Sequence, residues 1–456
     1  MQIGIMYDNY YFIGIGGIGM SALARYFKHI GKNVSGYDRT PSRLTAELES
    51  EGIQIHYEDR PDLVPINVAK TFVIYTPAIP ADLGEMQYVQ EKGYSMCKRS
   101  RALGEIASDK DCLAISGTHG KTTTSTLLAH IFTSGTEDGC TAFLGGISKN
   151  YHNNLLLSRG NVLVAEADEF DRSFLQLHPK IAVVTSIDAD HLDIYGTHEE
   201  VKEAFRLFAG QVASDGYVIA KFGADLHTEG IKAKILRYSY DKPCDFYASD
   251  IKPLEGGYFS FTLNHPGGKL TDCTVGVPGW VNVENAVAAG SVALLYGVDP
   301  EKIREALTSF RGVERRFDIH VNTPKVAYID DYAHHPREIA SAISSMREIF
   351  AGRRLCGIFQ PHLYTRTRDF ADEFAQALSG LDSLIMLPIY PARELPIEGV
   401  NSQMILDKVT LKDKMLVEKD ALMDTIKNKD IDCLVTFGAG DIDRFIPKIE
   451  EYLKTL

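Results

Sequence analysis

Short apolar runs and helix-like patterns alternate along the N-terminal part of the chain. Mainly apolar runs at residues 10–15 and 71–75 have the length of buried strands, residues 33–37 are predicted as a further strand, and residues from about 20 to 30 have the apolar spacing of a helix. Strands that alternate with helices predict a parallel sheet with helices on both faces. We therefore predict a doubly wound α/β domain over residues 1–107.

The alternation begins again after residue 108 and predicts a second domain with a mainly parallel sheet. Its predicted elements are strands at 112–116, 162–165 and 181–186 and helices at about 122–133 and 282–295. Residues 216–277 differ, because short runs such as 258–263 alternate apolar and polar positions, as antiparallel strands do. We predict that this domain spans residues 108–313.

A third α/β domain is predicted over residues 314–456. Its predicted buried strands, separated by helical patterns, lie at 326–330, 354–359, 383–387 and 433–437. The chain has 456 residues, which is enough for each of three domains to bury its own core.

The composition excludes several classes of protein. The net charge of −13 argues against a nucleic-acid-binding surface. The 7 cysteines are scattered without a C-x-x-C pair, as in a reduced cytoplasmic protein. The apolar run at 10–23 contains four glycines, is too short to span a bilayer and follows no basic segment. We expect a cytoplasmic protein without membrane insertion, and the sequence favours neither a monomer nor a dimer.

A glycine loop between a predicted strand and a predicted helix starts the second domain. Its residues are Gly117, Thr118, His119, Gly120, Lys121, Thr122 and Thr123. Backbone N–H groups in such a loop point at a bound anion, and the helix dipole adds a favourable potential. Lys121 can reach the β- and γ-phosphates of a nucleotide, and the hydroxyl of Thr122 can ligate Mg²⁺. The first glycine of the usual P-loop is replaced by Ile115, so an ordinary glycine turn stays an alternative.

Acidic residues and a histidine follow the next two predicted strands of this domain. Glu166 and Glu169 follow one strand, and Asp190 and His191 follow the other. Ligands of an open parallel sheet bind at the carboxyl ends of its strands. Thr122, Glu166 and His191 are therefore expected to meet at one edge and hold Mg²⁺, although a solvated acidic turn is the simpler interpretation of these residues alone.

An earlier glycine loop, the first in the chain, lies between the first predicted strand and the first predicted helix, so that the loop at residues 117–123 is the second. Residues 14–19 have the pattern G-x-G-x-x-G, and Asp38 ends the next strand. This is the dinucleotide-binding fingerprint, in which the acid holds ribose hydroxyls. The pattern indicates a nucleotide diphosphate, and by itself it also fits a nicotinamide-dependent oxidoreductase.

Six motifs together resemble the Mur ligases over essentially the whole chain. They lie at residues 14–21, 117–124, 166–169, 190–191, 330–336 and 360–368. The resemblance implies a Rossmann-like domain for a UDP-sugar, a central P-loop-type domain for ATP and a Rossmann-like C-terminal domain for an amino acid. The first glycine loop and residues 330–336 favour the member that joins L-alanine to UDP-N-acetylmuramate through an acyl phosphate, with ATP and Mg²⁺.

The resemblance also implies roles for individual residues. The UDP-sugar would be bound by Gly14, Gly16, Gly17, Ile18, Gly19, Met20, Ser21, Asp38, Thr76 and Ala78. ATP would be bound by residues 117–123 together with Asn282, Asn285, Arg316 and Asp331. The amino acid would be bound by Tyr332, His334, Arg366 and Arg368. Lys121, His334 and Arg366 would be catalytic, and the metal ligands would be Thr122, Glu166 and His191, with Glu169 as the alternative to Glu166.

Four positions depart from the family pattern. Val281 replaces a histidine before Asn282, and Leu363 stands where relatives often carry arginine. Ser186 replaces a common asparagine, and Lys202 does not align with the lysine that is carbamylated in several members.

Three other functions stay open. The chain could be the ligase that adds a whole tripeptide to UDP-N-acetylmuramate, or a nicotinamide-dependent oxidoreductase. It could also be a nucleotide-binding module without catalysis, although Lys121, Glu166, His191 and His334 are all present.

Overall fold

The computed structural model describes residues 6–80, 82–392 and 394–456. Three sheets are present in this part of the chain. The described residues form two compact units. The first holds the N-terminal and central sheets, and the second runs from Val313 to Leu456 together with the short segments Pro253–Tyr258 and Pro278–Trp280.

The first sheet has five strands in the order β3-β2-β1-β4-β5, and every pair is parallel. The strands are β1 Asn9–Ile13, β2 Asn33–Tyr37, β3 Gln54–His56, β4 Thr71–Tyr75 and β5 Ser95–Lys98. The helices are α1 Ile18–His29, α2 Arg43–Ser50, α3 Gly84–Glu91 and α4 Arg99–Ala107, with 3₁₀ turns at Pro61–Leu63 and Val68–Lys70. The central strand β1 is buried on both faces, which explains its unbroken apolar run.

The central sheet has ten strands in the order β15-β14-β13-β12-β11-β10-β6-β9-β7-β8. The strands are β6 Asp111–Ser116, β7 Thr141–Ser148, β8 Asn153–Leu156, β9 Val162–Glu166, β10 Ile181–Val184, β11 Tyr217–Lys221, β12 Lys234–Ser239, β13 Phe246–Pro253, β14 Phe259–His265 and β15 Gly268–Thr274. The helices are α5 Lys121–Gly135, α6 Leu192–Tyr195, α7 His198–Gly210, α8 Trp280–Tyr296 and α9 Pro300–Ser309, with 3₁₀ turns at Phe170–Gln176 and Glu255–Gly257.

The pairing in the central sheet is mainly parallel, as the sequence predicts. The strands β6, β9, β10 and β11 pair in parallel and place their carboxyl ends at one edge. β14 pairs with β15, and β7 pairs with β8, in the antiparallel direction. The first pair was expected from the alternating pattern, whereas β7 and β8 were not predicted.

The third sheet has six strands in the order β16-β17-β21-β18-β19-β20 and is parallel except for the edge pair β16–β17. The strands are β16 Asp318–Asn322, β17 Ala327–Asp331, β18 Leu355–Phe359, β19 Ser383–Met386, β20 Lys414–Leu416 and β21 Cys433–Phe437. The helices are α10 Pro336–Ile349, α11 Tyr364–Asp369, α12 Ala371–Leu378, α13 Gln403–Lys408, α14 Leu422–Lys427 and α15 Ile446–Leu453, with 3₁₀ turns at Lys419–Ala421 and Asp441–Phe445.

A buried polar network joins the N-terminal sheet to the central sheet within the first unit. Asn154 on β8 donates to the carbonyl of Ile18 at 2.6 Å and to the hydroxyl of Ser21 at 2.9 Å. Its own carbonyl accepts from Arg25 at 2.5 Å, and Arg25 also pairs with Glu51 at 2.7 Å. The network fixes the first turn of α1 against the central sheet.

No helix in the described ranges is long and apolar enough to cross a membrane.

Candidate active site

The second glycine loop runs from the end of β6 to the start of α5. Gly117 has φ +131° and Gly120 has φ +82°, which L side chains rarely adopt. A Cβ atom at Gly117 would lie 1.9 Å from Oγ1 of Thr185. The loop can therefore pass close to β10 only because this position is a glycine.

Thr185 and Ser186, directly after β10, hold this loop in place. The carbonyl of Ser186 accepts from the N–H of Thr118 at 3.1 Å, and its hydroxyl accepts from the N–H of His119 at 2.9 Å. Thr185 donates to the carbonyls of Ser116 and His119. Ser186, which replaces a common asparagine of the family, therefore has a structural role, because its side chain holds the loop in position. Strand β10 ends at Val184, two residues earlier than predicted, since Thr185 and Ser186 bond to the loop.

Lys121 begins α5, and its ammonium group is surrounded by hydrogen-bond acceptors. Its Nζ donates to the carbonyl of Gly117 at 2.6 Å and to both carboxylate oxygens of Glu169 at 2.7 and 2.9 Å. Burial alone would lower the pKa of Lys121, but the carboxylates of Glu169, Asp168 and Glu166 raise it well above its usual value. Lys121 is therefore a permanent cation at the start of a helix, where an anion is already favoured.

The three predicted metal ligands lie at the same edge of the central sheet, since Thr122 is in the first turn of α5, Glu166 ends β9 and His191 follows β10. The carboxylate of Glu166 faces Gly145, where an added Cβ would lie 2.2 Å from Oε2. His191 has φ +53°, and its Nε2 lies 3.8 Å from Oε1 of Glu169. In the described ranges, no group of three or more His, Cys, Asp and Glu side chains is arranged to hold a metal ion.

Glu169 rather than Glu166 is the carboxylate beside both Lys121 and His191. The predicted metal set stays a prediction, with Glu169 as the alternative to Glu166. Hydroxyl and carboxylate oxygens are the donors that Mg²⁺ prefers, so Thr122 and the glutamates fit this ion by their chemistry, whereas the ring nitrogen of His191 is an unusual ligand for it.

The first glycine loop borders a cavity of about 260 Å³ that extends to the end of β9. Its walls include the predicted UDP-sugar residues Gly17, Ile18, Gly19, Met20, Thr76 and Ala78 together with Arg99, Phe143, Gly145, Glu166 and Asp168. The structure therefore brings most of the predicted sugar-nucleotide residues to one cavity with Glu166. Both sides of this cavity belong to the first compact unit.

The remaining predicted UDP-sugar residues shape the loop. Gly14 has φ +87°, and an added Cβ would lie 2.6 Å from Thr76. Asp38 accepts from the N–H of Gly16 at 2.8 Å and from that of Thr40 at 3.1 Å. The hydroxyl of Ser21 is buried and donates to the carbonyl of Ile18 at 2.9 Å. These contacts hold the loop, and direct contacts of these residues with the nucleotide stay predictions.

The sequence analysis missed Arg99, and it gave Asp168 no role of its own although Asp168 lies in the motif at residues 166–169. Both line the cavity, and Nη2 of Arg99 donates to Oδ2 of Asp168 at 3.1 Å. Arg99 directly follows strand β5, at the same sheet edge as the first glycine loop. A search for charged residues after every strand would have found it.

The start of α8 lies beside the second glycine loop. Oδ1 of Asn285 accepts from the hydroxyl of Thr124 at 3.2 Å and would lie 3.2 Å from a Cβ atom at Gly120. Nδ2 of Asn285 donates to Oδ1 of Asn282 at 3.2 Å. The two asparagines predicted to bind adenine are therefore next to the predicted phosphate loop.

The second compact unit places charged residues at the start of β16 and the end of β17. Arg316 lies over the ring of Tyr332, with 4.9 Å from Cζ to the centroid. Arg315 donates from Nε to buried Asp330 at 3.0 Å and from Nη2 to the carbonyl of Gly438 at 2.7 Å. Arg315 also lies over the ring of the predicted amino-acid residue Tyr332, with 5.1 Å from Cζ to the centroid, so both arginines contact this ring.

Asp331 is expected to make the stability of this unit depend on pH. Burial raises the pKa of Asp331 to about 7, although Arg316 and the N–H groups of Ala333 and Phe317 lower it. The native state therefore holds a proton that the unfolded state releases at a pH near 3.8. The free energy of unfolding should fall as pH rises from about 4 to about 7, by at most about 1.4 kcal/mol per pH unit, and should then level off.

Asp331→Asn should remove this slope. The free energy of unfolding by urea can be measured between pH 4.5 and 8 through the fluorescence of Trp280, the single tryptophan of the chain. Equal slopes in the wild type and the variant would contradict the prediction, because the other titrating groups are the same in both.

His334, predicted to act on the incoming amine, lies between β17 and α10. Its Nδ1 lies 3.0 Å from the carbonyl of Tyr332. A carbonyl only accepts, so Nδ1 carries the hydrogen and Nε2 carries the lone pair of the neutral ring. The ring also contacts the rings of Tyr332 at 5.4 Å and His362 at 6.0 Å between centroids. His362 is a further member of this cluster that the sequence analysis did not single out.

The two predicted arginines on α11 differ in exposure. Arg366 is 7% exposed. Arg368 is exposed and donates to Asp369 at 2.7 Å. Leu363, which precedes α11, is buried with φ +71° and donates its N–H to the carbonyl of Tyr390 at 3.0 Å. Of the two, buried Arg366 is the better placed to face a bound anion, and both roles stay predictions.

Comparisons with known proteins cover nearly the whole chain. Three family models match: Mur ligase family, catalytic domain at residues 9–111, Mur ligase middle domain at 115–293, and Mur ligase, glutamate ligase domain at 315–440. The UDP-N-acetylmuramate–L-alanine ligase of Porphyromonas gingivalis strain W83 is 49% identical over 453 residues, 98% of this chain and 99% of that protein. The enzyme of the same name from Flavobacterium psychrophilum is 48% identical over 447 residues, 98% of each chain.

Solved structures agree with this result. The UDP-N-acetylmuramate-alanine ligase from Thermotoga maritima has a TM-score of 0.84 and 28% identity, covering 98% of this chain and 99% of that one. A murein peptide ligase from Psychrobacter arcticus has a TM-score of 0.75 and 22% identity over 98% of this chain and 99% of that one, a likeness that shows the fold alone.

Proposed function

This chain belongs to the Mur ligase family, and we propose that it joins L-alanine to the lactyl carboxylate of UDP-N-acetylmuramate with cleavage of ATP to ADP and phosphate. The observation that carries this proposal is 49% identity to an L-alanine ligase over 98% of the chain and 99% of the relative. The product would be the first peptide-bearing precursor of peptidoglycan. ATP and UDP-sugars are cytoplasmic metabolites, so we also propose a cytoplasmic location.

The first step activates a carboxylate, which is a poor acyl donor. One carboxylate oxygen attacks the γ-phosphorus of ATP, the bond to the β-phosphate oxygen breaks, and an acyl phosphate and ADP form. Negative charge spreads over the transferring phosphoryl oxygens, where a fixed cation has its largest effect. Lys121 is that cation, because Glu169 and the carbonyl of Gly117 hold its Nζ at the start of α5.

Mg²⁺ is proposed as the cofactor of this step, with Thr122, Glu166 and His191 as ligands and Glu169 as the alternative carboxylate. When bound, the ion would neutralise phosphate oxygens and act as a Lewis acid toward the γ-phosphate.

The second step forms the amide. The amine of L-alanine attacks the acyl carbon, and the tetrahedral intermediate collapses with loss of inorganic phosphate. Nε2 of His334 is oriented to take the amine proton, because Nδ1 is held by the carbonyl of Tyr332. Arg366 would bind the alanine carboxylate or the acyl phosphate, for which a planar guanidinium offers two parallel donors.

Phosphate release from ATP with UDP-N-acetylmuramate tests the function and the amino acid together. We expect release with L-alanine and a kcat/KM about 10- to 200-fold lower with glycine, because glycine lacks the methyl group whose burial in the pocket lowers the free energy of the transition state. L-Serine should be rejected less sharply, since an apolar pocket discriminates weakly against an added hydroxyl. Release only with L-Ala-γ-D-Glu-meso-diaminopimelate would contradict the proposal and favour the tripeptide ligase, whereas silence with every acceptor would contradict both.

A further inference from the structure

The cavity beside the first glycine loop contains one cationic side chain among its described lining residues. This is Arg99, which shares the cavity with the carboxylates of Glu166 and Asp168. A UDP-sugar carries a diphosphate with two negative charges, and the N-terminus of α1 offers only a partial positive charge. A cationic side chain is needed to offset the two nearby carboxylates when the diphosphate binds.

Arg99 is held in a defined orientation and keeps most of its donors for another partner. Among the described residues, its guanidinium makes one hydrogen bond, from Nη2 to Asp168. A guanidinium has five N–H donors in a fixed plane. The side chain is 21% exposed, so the group is neither fully solvated nor fully satisfied inside the protein.

The guanidinium also lies directly against the first turn of α1. A Cβ atom at Gly19 would lie 2.5 Å from Nη1 and 3.0 Å from Cδ of Arg99. A side chain at the last glycine of the fingerprint would therefore require the guanidinium of Arg99 to move. Nη1 lies beside the turn whose N–H groups would receive the phosphates.

We propose that Arg99 is a substrate-binding residue that donates from its guanidinium to the diphosphate of the UDP-sugar, and that Asp168 is the positioning residue that orients it. This inference rests on the proposed function for the identity of the sugar nucleotide. Lys121 supplies the cation for the ATP phosphates at α5, and Arg99 supplies the cation for the sugar nucleotide at α1.

The neighbouring pair Lys98–Asp171 provides a matched control. Lys98 precedes Arg99 directly and pairs with Asp171 at 2.6 Å, so it joins the same two segments of the first unit. Its side chain is 45% exposed and does not line the cavity. If Arg99 only held the two segments together, Arg99→Met and Lys98→Met would have similar effects.

The test is the Kd of each variant for UDP-N-acetylmuramate and for a non-hydrolysable ATP analogue, by calorimetry. Arg99→Met should raise the Kd for UDP-N-acetylmuramate about 10- to 100-fold, as expected for a lost charge-assisted hydrogen bond, and leave the Kd for the ATP analogue within about 2-fold. Lys98→Met should change neither value by more than about 2-fold. Arg99→Lys should recover part of the loss, since it restores charge without the planar fork.

UDP-N-acetylglucosamine identifies the group that Arg99 binds, because it has the same diphosphate and lacks the lactyl carboxylate. Arg99→Met should raise the inhibition constant of this compound by the same factor. Equal losses in Arg99→Met and Lys98→Met, or a loss confined to UDP-N-acetylmuramate, would overturn the proposal.

Two further variants keep the test informative if Arg99→Met folds poorly. Gly19→Ala leaves the charge in the protein but forces the guanidinium aside, and Asp168→Asn removes only its orienting carboxylate. Both should raise the Kd for the two UDP-sugars and spare the ATP analogue, and unchanged affinities in both would overturn the proposal. Failure of the proposed function would be visible separately, as wild-type protein that binds UDP-sugars without releasing phosphate.

Discussion

Replacement of Lys121 by alanine should lower kcat for alanine-dependent phosphate release by about 10³-fold, because the cation that we propose to neutralise developing phosphoryl charge is lost. Its Nζ lies 2.7 and 2.9 Å from the two oxygens of Glu169, so the cation is already in place before ATP binds. The KM for L-alanine should change little, since Lys121 lies in a different compact unit from His334 and Arg366. Phosphate release with saturating UDP-N-acetylmuramate and L-alanine measures the effect.

The control for this prediction is Lys202, which is also held by two carboxylates. Its Nζ lies 2.7 Å from both Glu199 and Asp225, on α7 and outside the glycine loop. Lys202→Ala should keep wild-type kcat, and this also tests the view that Lys202 is not a catalytic carbamylated lysine.

Lys121→Ala also leaves the carboxylate of Glu169 unpaired while that side chain is only 2% exposed. Loss of one partner of a buried pair typically costs about 3–5 kcal/mol. Lys121→Ala combined with Glu169→Gln should recover stability and not activity, which separates folding from catalysis. Recovery of activity in the double variant would contradict the role given to Lys121.

Gly117→Ala should lower the free energy of unfolding by about 2–5 kcal/mol and raise the Kd for ATP at least about 10-fold. Two contributions lower the free energy of unfolding. One is the backbone strain of an L residue at φ +131°, and the other is the overlap of the new Cβ with Thr185 Oγ1, which would lie 1.9 Å away. The overlap cannot be relieved by a side-chain rotation alone, because the backbone nitrogens of Ser186 and Thr185 would lie at 2.8 and 2.9 Å. The loop must therefore shift, so that its N–H groups no longer point toward the predicted phosphate position and ATP binding is weakened.

Gly223→Ala separates the two contributions. Gly223 has φ +83° and nothing within 4 Å of an added Cβ, so only the backbone strain applies. Thermal unfolding and ATP binding of both variants measure the difference. A Gly117→Ala protein that binds ATP with wild-type affinity would contradict the view that this glycine sets the loop.

The sequence predicted those features that depend on residues close to one another along the chain. The strands Thr71–Tyr75 and Cys433–Phe437 lie where the apolar runs indicate, because each is a mainly apolar segment that is buried along almost its whole length. The second glycine loop and Lys121 were found for the same reason, since a loop between a strand and a helix is a local signal. The family resemblance, confirmed by the comparisons, joined these local signals into one reaction.

Features that depend on distant pairing were not accessible in this way. The pair Arg99–Asp168 joins residues 69 positions apart in sequence, and Arg99 belongs to none of the six motifs. The contact of Lys121 with Glu169 rather than with Glu166 depends on how the chain turns after β9, where Asp171 and Arg172 both have φ +54°. Apolar periodicity carries no information about such a turn, so the sequence left the choice between the two glutamates open.

The buried network around Asn154 determines which segments of this protein form an exchangeable module. Asn154 is 133 residues from Ser21 in sequence, yet its amide is fully buried against the first turn of α1 together with Arg25. A chimera that takes residues 1–107 from a relative would replace Ser21 and Arg25 but keep Asn154, and the buried amide would lose its partners if the relative did not carry the same two residues. In recombination between family members, α1 and the hairpin of β7 and β8 should therefore be inherited together, and the effective crossover points lie elsewhere than at the domain boundary.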